Sequence, residues 1–176
     1  MISDNTVSTV SGVAVIRFGE EFKLFSARDV PSGELLFTIE GDVTSSPTRY
    51  SVQVGSSVHV DLPPGVPCEV VLDRYYWRFM NHSCEPSAVI CGREVYSLRR
   101  LRQWDEITFD YNTTEYSLAE RFECRCGSTS CLGQIRGFRY LSRLHREQRR
   151  PHLAAHLVAL LDGGHPEIGR GQDGEA

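Results

Sequence analysis

The chain has 176 residues, 40% of them hydrophobic, and a formal net charge of −4. This length suits one domain with a short appendage, and a domain of this size buries about 70% of its unfolded surface. No run of about 18 apolar residues is present, which excludes a membrane-spanning helix. The polar start, residues 1–10, has neither the basic nor the apolar region of a secretory leader, so we expect an intracellular protein.

The charge is unevenly distributed along the chain. Residues 1–135 carry 12 basic and 18 acidic side chains, whereas residues 136–150 carry six arginines and one glutamate. An acidic body attracts a basic protein or peptide and repels phosphate, so we expect no direct nucleic-acid binding. The arginine-rich run is expected to be the solvated face of a helix, with contact to phosphate as the alternative.

Short β segments separated by turn residues dominate the first two thirds of the chain. The predicted strands are Val13–Ile16, Lys23–Phe25, Leu35–Ile39, Tyr50–Val54, Val58–Val60, Ala88–Ile90, Glu94–Leu98 and Ile107–Phe109. Many short strands with little helix indicate a β-rich α+β fold of small curved sheets and not a doubly wound α/β fold.

Helical patterns are concentrated near the end of the chain. Apolar residues recur at helical spacing from Phe138 to about Gln148, which predicts one helix there. A second helix is expected to start with Pro151 in its first turn and to end at Gly163-Gly164. Both helices are expected to pack on the body of the protein.

Three cysteines lie within eight residues, at Cys124, Cys126 and Cys131. Structural zinc is held by four ligands in a tetrahedron, and this cluster supplies three of them. A zinc site, free buried thiols and a disulfide are the alternatives. Cys68 and Cys91 have no partner in this pattern and are expected to be small core residues.

Two further motifs precede the cysteine cluster. Arg78–Pro86 reads RFMNHSCEP, and Ile107–Tyr111, which begins 23 residues after Cys84, reads ITFDY. The three motifs, in this order and at these spacings, resemble the signature of SET-domain lysine methyltransferases with a zinc-binding post-SET segment. No pre-SET cysteine cluster precedes them, so the resemblance is to a minimal member of the family.

The resemblance implies a SET fold of small curved sheets with a knot-like crossing of the two motifs. It implies methyl transfer from S-adenosylmethionine to the side-chain amine of a lysine in a basic protein or peptide. The expected division is an N-terminal extension at 1–12, a SET domain at 13–119, a post-SET zinc segment at 120–137, C-terminal helices at 138–162 and a disordered tail at 163–176.

By resemblance, Tyr111 is the catalytic residue, because its hydroxyl both donates and accepts hydrogen bonds while its ring walls the lysine channel. Phe109 lies two residues earlier, so in an extended segment both rings project to the same face. In the family this position tunes how many methyl groups fit, and a phenylalanine favours di- or trimethylation.

The resemblance also assigns the site of the methyl donor. Asn81 and the backbone of His82 bind the donor, and Arg78 and Phe79 help to wall its pocket. The family's Gly-x-Gly segment corresponds to Glu21, Phe22 and Lys23, so both glycines are replaced. Because glycine lets the backbone approach a ligand closely, this replacement puts donor affinity in question.

The fourth zinc ligand is supplied only by the resemblance, which assigns it to Cys84. Three other positions depart from the family pattern: Ser87 replaces an asparagine, Ile39 replaces a channel tyrosine and Trp104 replaces a turn glycine. Lys23 is the only lysine, beside 18 arginines, which fits a GC-rich coding sequence or an enzyme that avoids modifying itself.

Two other functions are compatible with the sequence. The altered glycines are typical of a SET-like binding module that has lost its donor site. A methyltransferase that acts on a small-molecule amine, or on a side chain other than lysine, would keep the same motifs. Retention of Tyr111, Asn81 and all four cysteines favours a protein-lysine methyltransferase, because a decayed site has no need of Tyr111.

Overall fold

A computed structural model describes residues 6–10 and 12–163, and of residues 6–10 only the backbone. Thirteen strands and three α-helices lie in this part of the chain. The strands are β1 Thr6–Val10, β2 Val13–Phe18, β3 Glu21–Ser26, β4 Leu35–Thr38, β5 Asp42–Thr44, β6 Val52–Gly55, β7 Val58–Asp61, β8 Asn81–His82, β9 Ala88–Cys91, β10 Glu94–Ser97, β11 Thr108–Phe109, β12 Phe122–Glu123 and β13 Gln134–Ile135. The helices are α1 Cys68–Arg74, α2 Arg143–Arg149 and α3 Ala155–Asp162.

The strands form five small sheets. Three are three-stranded and antiparallel, with the orders β1-β2-β3, β4-β10-β9 and β5-β7-β6. Two are two-stranded: β12 pairs antiparallel with β13, and β8 pairs parallel with β11. The predicted β-rich fold of small sheets is therefore confirmed, and each predicted strand overlaps an observed one.

The main hydrophobic core lies between the sheets. Its largest fully buried side chains include Trp77, Leu24, Ile39, Leu101 and Ile107. Burial of such side chains stabilises a fold by about 1.5–3 kcal/mol each. Trp77 lies in a 3-10 turn, Tyr76–Phe79, that leads directly into β8. Core packing therefore fixes the backbone immediately before the first motif.

A second, smaller core lies beneath the C-terminal helices. Phe138, Leu141 and Leu157 are buried together there. Ala154 donates its backbone N–H to the carbonyl of Thr113, which lies two residues after Tyr111. The prediction that these helices pack on the body is confirmed, and their contacts reach the segment that follows the second motif.

The predicted starts of the two helices are wrong, whereas the last helix ends at Asp162 with Gly163 as its C-cap, as predicted. The first predicted helix is interrupted because Leu141 turns into the small core with an extended backbone, and Ser142 caps a new helix by accepting from the N–H of His145. Pro151 lies in a 3-10 turn, so the last helix begins only at Ala155. The predicted disordered tail lies outside the described residues, apart from Gly163.

Two other predictions are also wrong. Cys68 and Cys91 are exposed and not in the core, because Cys68 is the first residue of α1, which buries no side chain, and Cys91 ends β9. The arginine run is not simply solvated, since Arg146 is buried and donates to the carbonyls of Phe138 and Arg139. The periodicity of a helix does not show whether its polar face will be covered by another part of the protein, as the face of α2 that carries Arg146 is here.

Trp104 has a φ of 71°, in the left-handed region that favours glycine, at the position where the family has a turn glycine. We predict that Trp104→Gly raises the free energy of unfolding by about 1 kcal/mol, because it relieves this strain. Trp104→Ala is the matched control, since it removes the ring but keeps the strained φ. Urea denaturation measures both, and an equal effect of the two variants would contradict the prediction.

Candidate active site and metal centre

A cleft of about 1440 Å³ runs across the protein where the two motifs meet. It is lined by β3, the Tyr76–Phe79 turn, β8, β11 and the segment 118–126. All seven residues predicted to bind the donor line it, and so do Phe109 and Tyr111. The donor-site residues are Glu21, Phe22, Lys23, Arg78, Phe79, Asn81 and His82.

The parallel pairing of β8 with β11 brings the two motifs side by side. Asn81 pairs with Thr108, and His82 pairs with Phe109. Beyond this short ladder, the backbone N–H of Tyr111 donates to Nδ1 of His82 at 3.2 Å. Strands this short are stable here because the core covers them, with Phe109 only 5% exposed.

Tyr111 stands in an aromatic corner of the cleft. Its hydroxyl donates to the carbonyl of Met80 at 2.7 Å, and its ring centroid lies 4.6 Å from that of Phe109. The ring of Phe122 meets it edge-on at 5.9 Å. Burial raises the pKa of Tyr111, so its hydroxyl stays protonated and retains an acceptor lone pair. Such a group can orient an amine, but it is not a strong base.

His82 connects the tyrosine to the cysteine cluster. Burial lowers its pKa to about 4, although Asp110, 3.6 Å from Nδ1, opposes this effect. The ring is therefore neutral at physiological pH. Because Nδ1 accepts from Tyr111, the proton is on Nε2, which lies 3.3 Å from the Cys84 sulfur. This tautomer donates toward the sulfur.

Asn81 donates its side-chain amide to Glu106 at 2.9 Å, and the other oxygen of Glu106 lies 3.4 Å from Nζ of Lys23. Glu106 was not among the predicted site residues, although it lines the cleft and directly precedes the ITFDY motif. The side chain of Lys23, at a position of a lost glycine, therefore turns toward the cleft.

The other donor-site residues form one wall of the cleft. The rings of Phe22 and Phe79 pack with centroids 5.7 Å apart. Arg78 lies over the ring of Tyr50 at 4.2 Å and pairs with Asp61 at 3.4 Å. Tyr50 and its neighbours from the 48–52 segment thus complete this wall.

Two of the other departures from the family pattern have a structural account. The buried hydroxyl of Ser87 donates to the carbonyl of Glu106 at 2.8 Å and accepts from the N–H of Thr108 at 2.9 Å. Serine therefore joins the two motifs where the family has asparagine. Ile39 is fully buried in the core and does not line the cleft.

The sulfur atoms of Cys84, Cys124, Cys126 and Cys131 all lie within 4.8 Å of one another. Tetrahedral zinc with bonds of about 2.3 Å requires sulfur–sulfur separations of about 3.8 Å, so the four residues fit a four-thiolate zinc site after small adjustments. The backbone N–H of Leu132 donates to the Cys84 sulfur at 3.4 Å, as is common around metal-bound thiolates. Burial raises the pKa of Cys84, so a thiolate at this position needs a cation.

The cysteine cluster also positions part of the cleft. Cys124 and Cys126 line the cleft. Phe122, two residues before Cys124, packs edge-on against both Tyr111 and His82. Phe122 carries no recognisable motif, so only the three-dimensional structure brings it to the site. A metal held by the cluster would hold this aromatic wall in place.

Glu115 is a second carboxyl of the cleft that the sequence did not reveal. It accepts from the backbone N–H of Gln53 at 2.7 Å, and its other oxygen lies 3.7 Å from Nε2 of His59. Burial raises its pKa to about 7. This carboxyl therefore changes charge near neutral pH within the wall of the cleft. In the sequence, only its position four residues after Tyr111 indicates that Glu115 lies near the site.

Asp110, between Phe109 and Tyr111, is paired with Arg149 of α2 at 2.6 Å, and the two side chains are 3% and 11% exposed. We predict that Arg149→Met lowers the free energy of unfolding by about 3 kcal/mol, because it leaves the Asp110 carboxylate buried without its cation. Arg143→Met, on the exposed face of the same helix, should change stability by less than about 0.5 kcal/mol. Equal effects in urea denaturation would show that the buried pair is not the cause.

Comparison with solved structures shows which class of fold surrounds this cleft. The structure of KRYPTONITE in complex with mCHG DNA and SAH aligns with 69% of this chain and 28% of its own, at 20% identity and a TM-score of 0.52. The methyltransferase domain of human histone-lysine N-methyltransferase SETMAR aligns with 69% of this chain and 56% of its own, at 18% identity and a TM-score of 0.50. The fold is therefore a SET fold.

The sequence comparison identifies the family directly. Residues 21–112 match the family described as "SET domain", which is more than half of the chain. The chain belongs to the SET-domain family, so the resemblance stated from its motifs is confirmed.

Several curated relatives are histone-lysine methyltransferases. An H3 lysine-36 specific histone-lysine N-methyltransferase of Yarrowia lipolytica is 28% identical over 131 residues, 66% of this chain and 17% of that protein. Methyltransferase flvH of Aspergillus flavus is 34% identical over 114 residues, 61% of this chain and 57% of that protein. The chain thus spans between a sixth and about three fifths of the length of these relatives. None of the helices in its described part has the length and apolar character that a membrane crossing needs.

Proposed function

We propose that the chain is an S-adenosylmethionine-dependent protein-lysine methyltransferase. The observation that carries the proposal is the position of the Tyr111 hydroxyl, which lies in one cleft with the predicted donor-site residues Asn81 and His82. Two KRYPTONITE structures that align with this chain are complexes with SAH, which supports a donor of the S-adenosyl class. In this proposal residues 13–119 are the SET domain and residues 120–137 the post-SET segment.

The proposed reaction is an in-line displacement in which the amine nitrogen bonds to the methyl carbon as the methyl–sulfur bond breaks. Bound S-adenosylmethionine supplies an activated methyl group on a positive sulfonium. A free lysine has a pKa near 10.4, so only about one in 2,500 is neutral at pH 7, and burial in the cleft lowers that pKa. The displaced proton goes to solvent before transfer. Tyr111 orients the neutral amine, and positioning of this kind can lower a barrier by several kcal/mol.

The cleft is suited to a basic peptide. It is lined by eight carboxylate side chains and six basic ones, within a body that is itself acidic. A field of this sign raises the local concentration of a positively charged substrate. A related SET structure was solved with an H3(1–15) peptide, and we propose a substrate of the same kind, a lysine-bearing basic segment of a protein. Phe109 beside Tyr111 supports transfer of more than one methyl group.

We further propose that the four cysteines hold one structural zinc ion. Cys84 belongs to the first motif and the other three to the post-SET segment, so one ion would join these two segments. The metal would supply no chemistry to methyl transfer. Its role is to hold Phe122 and the 118–126 wall against Tyr111, and the metal's binding free energy would be coupled to folding.

The direct test incubates zinc-loaded protein with S-adenosylmethionine and either a panel of basic peptides, including a histone H3 tail, or simple alkyl amines. Mass spectrometry then counts the methyl groups added to each. Methylated peptide lysines with unmodified amines would support the proposal. Methylation of amines alone would identify a small-molecule methyltransferase. Failure to bind S-adenosylhomocysteine in calorimetry would identify a binding module without a donor site.

A further inference from the structure

The single lysine of the chain lies inside the cleft. The other 18 strong cations are arginines, yet position 23 of β3 carries the compact ammonium group of a lysine. The side chains of Lys23 and Glu106 are 31% and 28% exposed, so the pair is accessible to a ligand in the cleft. An ion pair that is partly exposed contributes little to stability, which makes a purely structural role a poor account of it.

The carboxylate of Glu106 is held firmly from both sides. The backbone of Glu106 forms a β-bridge with Phe25 of β3, and the backbone carbonyl of Glu106 accepts from the hydroxyl of Ser87. One carboxylate oxygen accepts from Asn81, and the other faces Lys23. A fixed negative group thus stands beside a positive group on a flexible four-carbon stem. The result is a pair of opposite charges at the end of the cleft where Asn81 lies.

We propose that Glu106 and Lys23 form a paired-charge subsite for the amino-acid end of the methyl donor. This end of S-adenosylmethionine is a zwitterion, with an α-ammonium and an α-carboxylate group on the same carbon. Glu106, together with the carbonyl oxygen of the Asn81 side chain, accepts from the ammonium group. Lys23 moves off Glu106 and pairs with the carboxylate. The inference deepens the proposed function and rests on it.

In this proposal Lys23 compensates for the loss of the glycine at its own position. A glycine at position 23 would offer only its backbone to a ligand, whereas Lys23 offers a full positive charge from the same strand. Lys23 would donate to the carboxylate of the zwitterion and Glu106 would accept from its ammonium group, and such charge-assisted hydrogen bonds are about twice as strong as neutral ones. The exchange of one ion pair for two also leaves both Lys23 and Glu106 beside a group of opposite charge.

The test compares two ligands that differ only at the amino-acid end. S-adenosylhomocysteine carries the zwitterion, and 5′-methylthioadenosine has the same nucleoside and thioether without it. Calorimetry on the zinc-loaded protein should show that Lys23→Met weakens S-adenosylhomocysteine binding about tenfold, the effect of one charged hydrogen bond. Binding of 5′-methylthioadenosine should change less than about twofold.

Two further variants separate charge from shape. Lys23→Arg keeps the charge and should retain most of the affinity, while Glu106→Gln should weaken only the ligand that carries the zwitterion. Arg100→Met is the matched control, because it removes a cation that pairs with Asp29 at 3.0 Å outside the cleft. It should leave both affinities unchanged.

Each other outcome overturns the inference. Equal weakening of both ligands by Lys23→Met would show that Lys23 only shapes the pocket. Unchanged or tighter binding of S-adenosylhomocysteine would show that the pair does not hold the zwitterion. If the wild-type protein binds S-adenosylhomocysteine and only the variants behave unexpectedly, the proposed function survives. If the wild-type protein binds neither ligand, the subsite and the proposed function both fail.

Discussion

Tyr111→Phe is expected to lower the rate of peptide methylation about a thousandfold while leaving the affinity for S-adenosylhomocysteine within about threefold. The variant keeps the ring that packs on Phe109 at 4.6 Å and removes only the hydroxyl, which donates to the carbonyl of Met80. Without that hydroxyl, nothing at this position orients the amine. Single-turnover kinetics with saturating donor and peptide measure the loss directly.

Tyr96→Phe is the matched control for this substitution. Its hydroxyl donates to Glu94 on the exposed part of β10, outside the cleft, so its loss should leave the methylation rate unchanged. A Tyr111→Phe protein that retained most of its rate would remove Tyr111 from the mechanism. A variant that lost donor affinity as well would assign Tyr111 to donor binding and not to orientation of the amine.

The parts of the site that were predictable from the sequence are those with unusual local composition. The NHSC and FDY motifs and the closely spaced cysteines are short, and each combines residue types that rarely occur together by chance. Alternation of apolar residues also located each observed strand that carries a predicted site residue, except the two-residue β8. The pairing of β8 with β11 joins segments that are distant in the sequence, so the periodicity of either segment does not predict it.

The rest of the site depends on contacts between distant segments. Phe122, Glu106 and Glu115 have no motif of their own and reach the cleft through the paths of neighbouring strands. Arg149 looked like a surface residue because its helix is polar, and the sequence did not show that it pairs with the buried Asp110. Side-chain periodicity describes one element at a time, so it cannot show which polar groups two elements bury between them.

The four cysteines connect the stability of the fold to the chemistry of the cleft. Cys84 follows β8, which carries Asn81 and His82. The other three cysteines follow Phe122 in the sequence. A metal at this position would therefore hold both walls of the aromatic corner around Tyr111. Loss of the metal would free the 118–126 segment, and the positioning on which the proposed catalysis depends would be lost with it.

Removal of zinc with a chelator is therefore expected to abolish methylation and to unfold the post-SET segment around residues 120–137. Structural zinc sites contribute about 10–16 kcal/mol of apparent binding free energy, which is comparable with the net stability of a whole domain. Hydrogen exchange should show loss of protection in that segment first, while Leu24 and Ile107 in the main core lose theirs later. Metal analysis of the isolated protein should find one zinc ion per chain.

Cys126→Ser and Cys68→Ser make this prediction specific to the cluster. Cys126 supplies one of the four sulfur atoms that lie within 4.8 Å of one another, whereas Cys68 is exposed on α1 and is not part of this cluster. The first variant should lose zinc and activity together, and the second should keep both, because serine at an exposed thiol changes little. A Cys126→Ser protein with a full complement of zinc, or active protein isolated without any metal, would exclude the zinc site and leave the cysteines as free thiols.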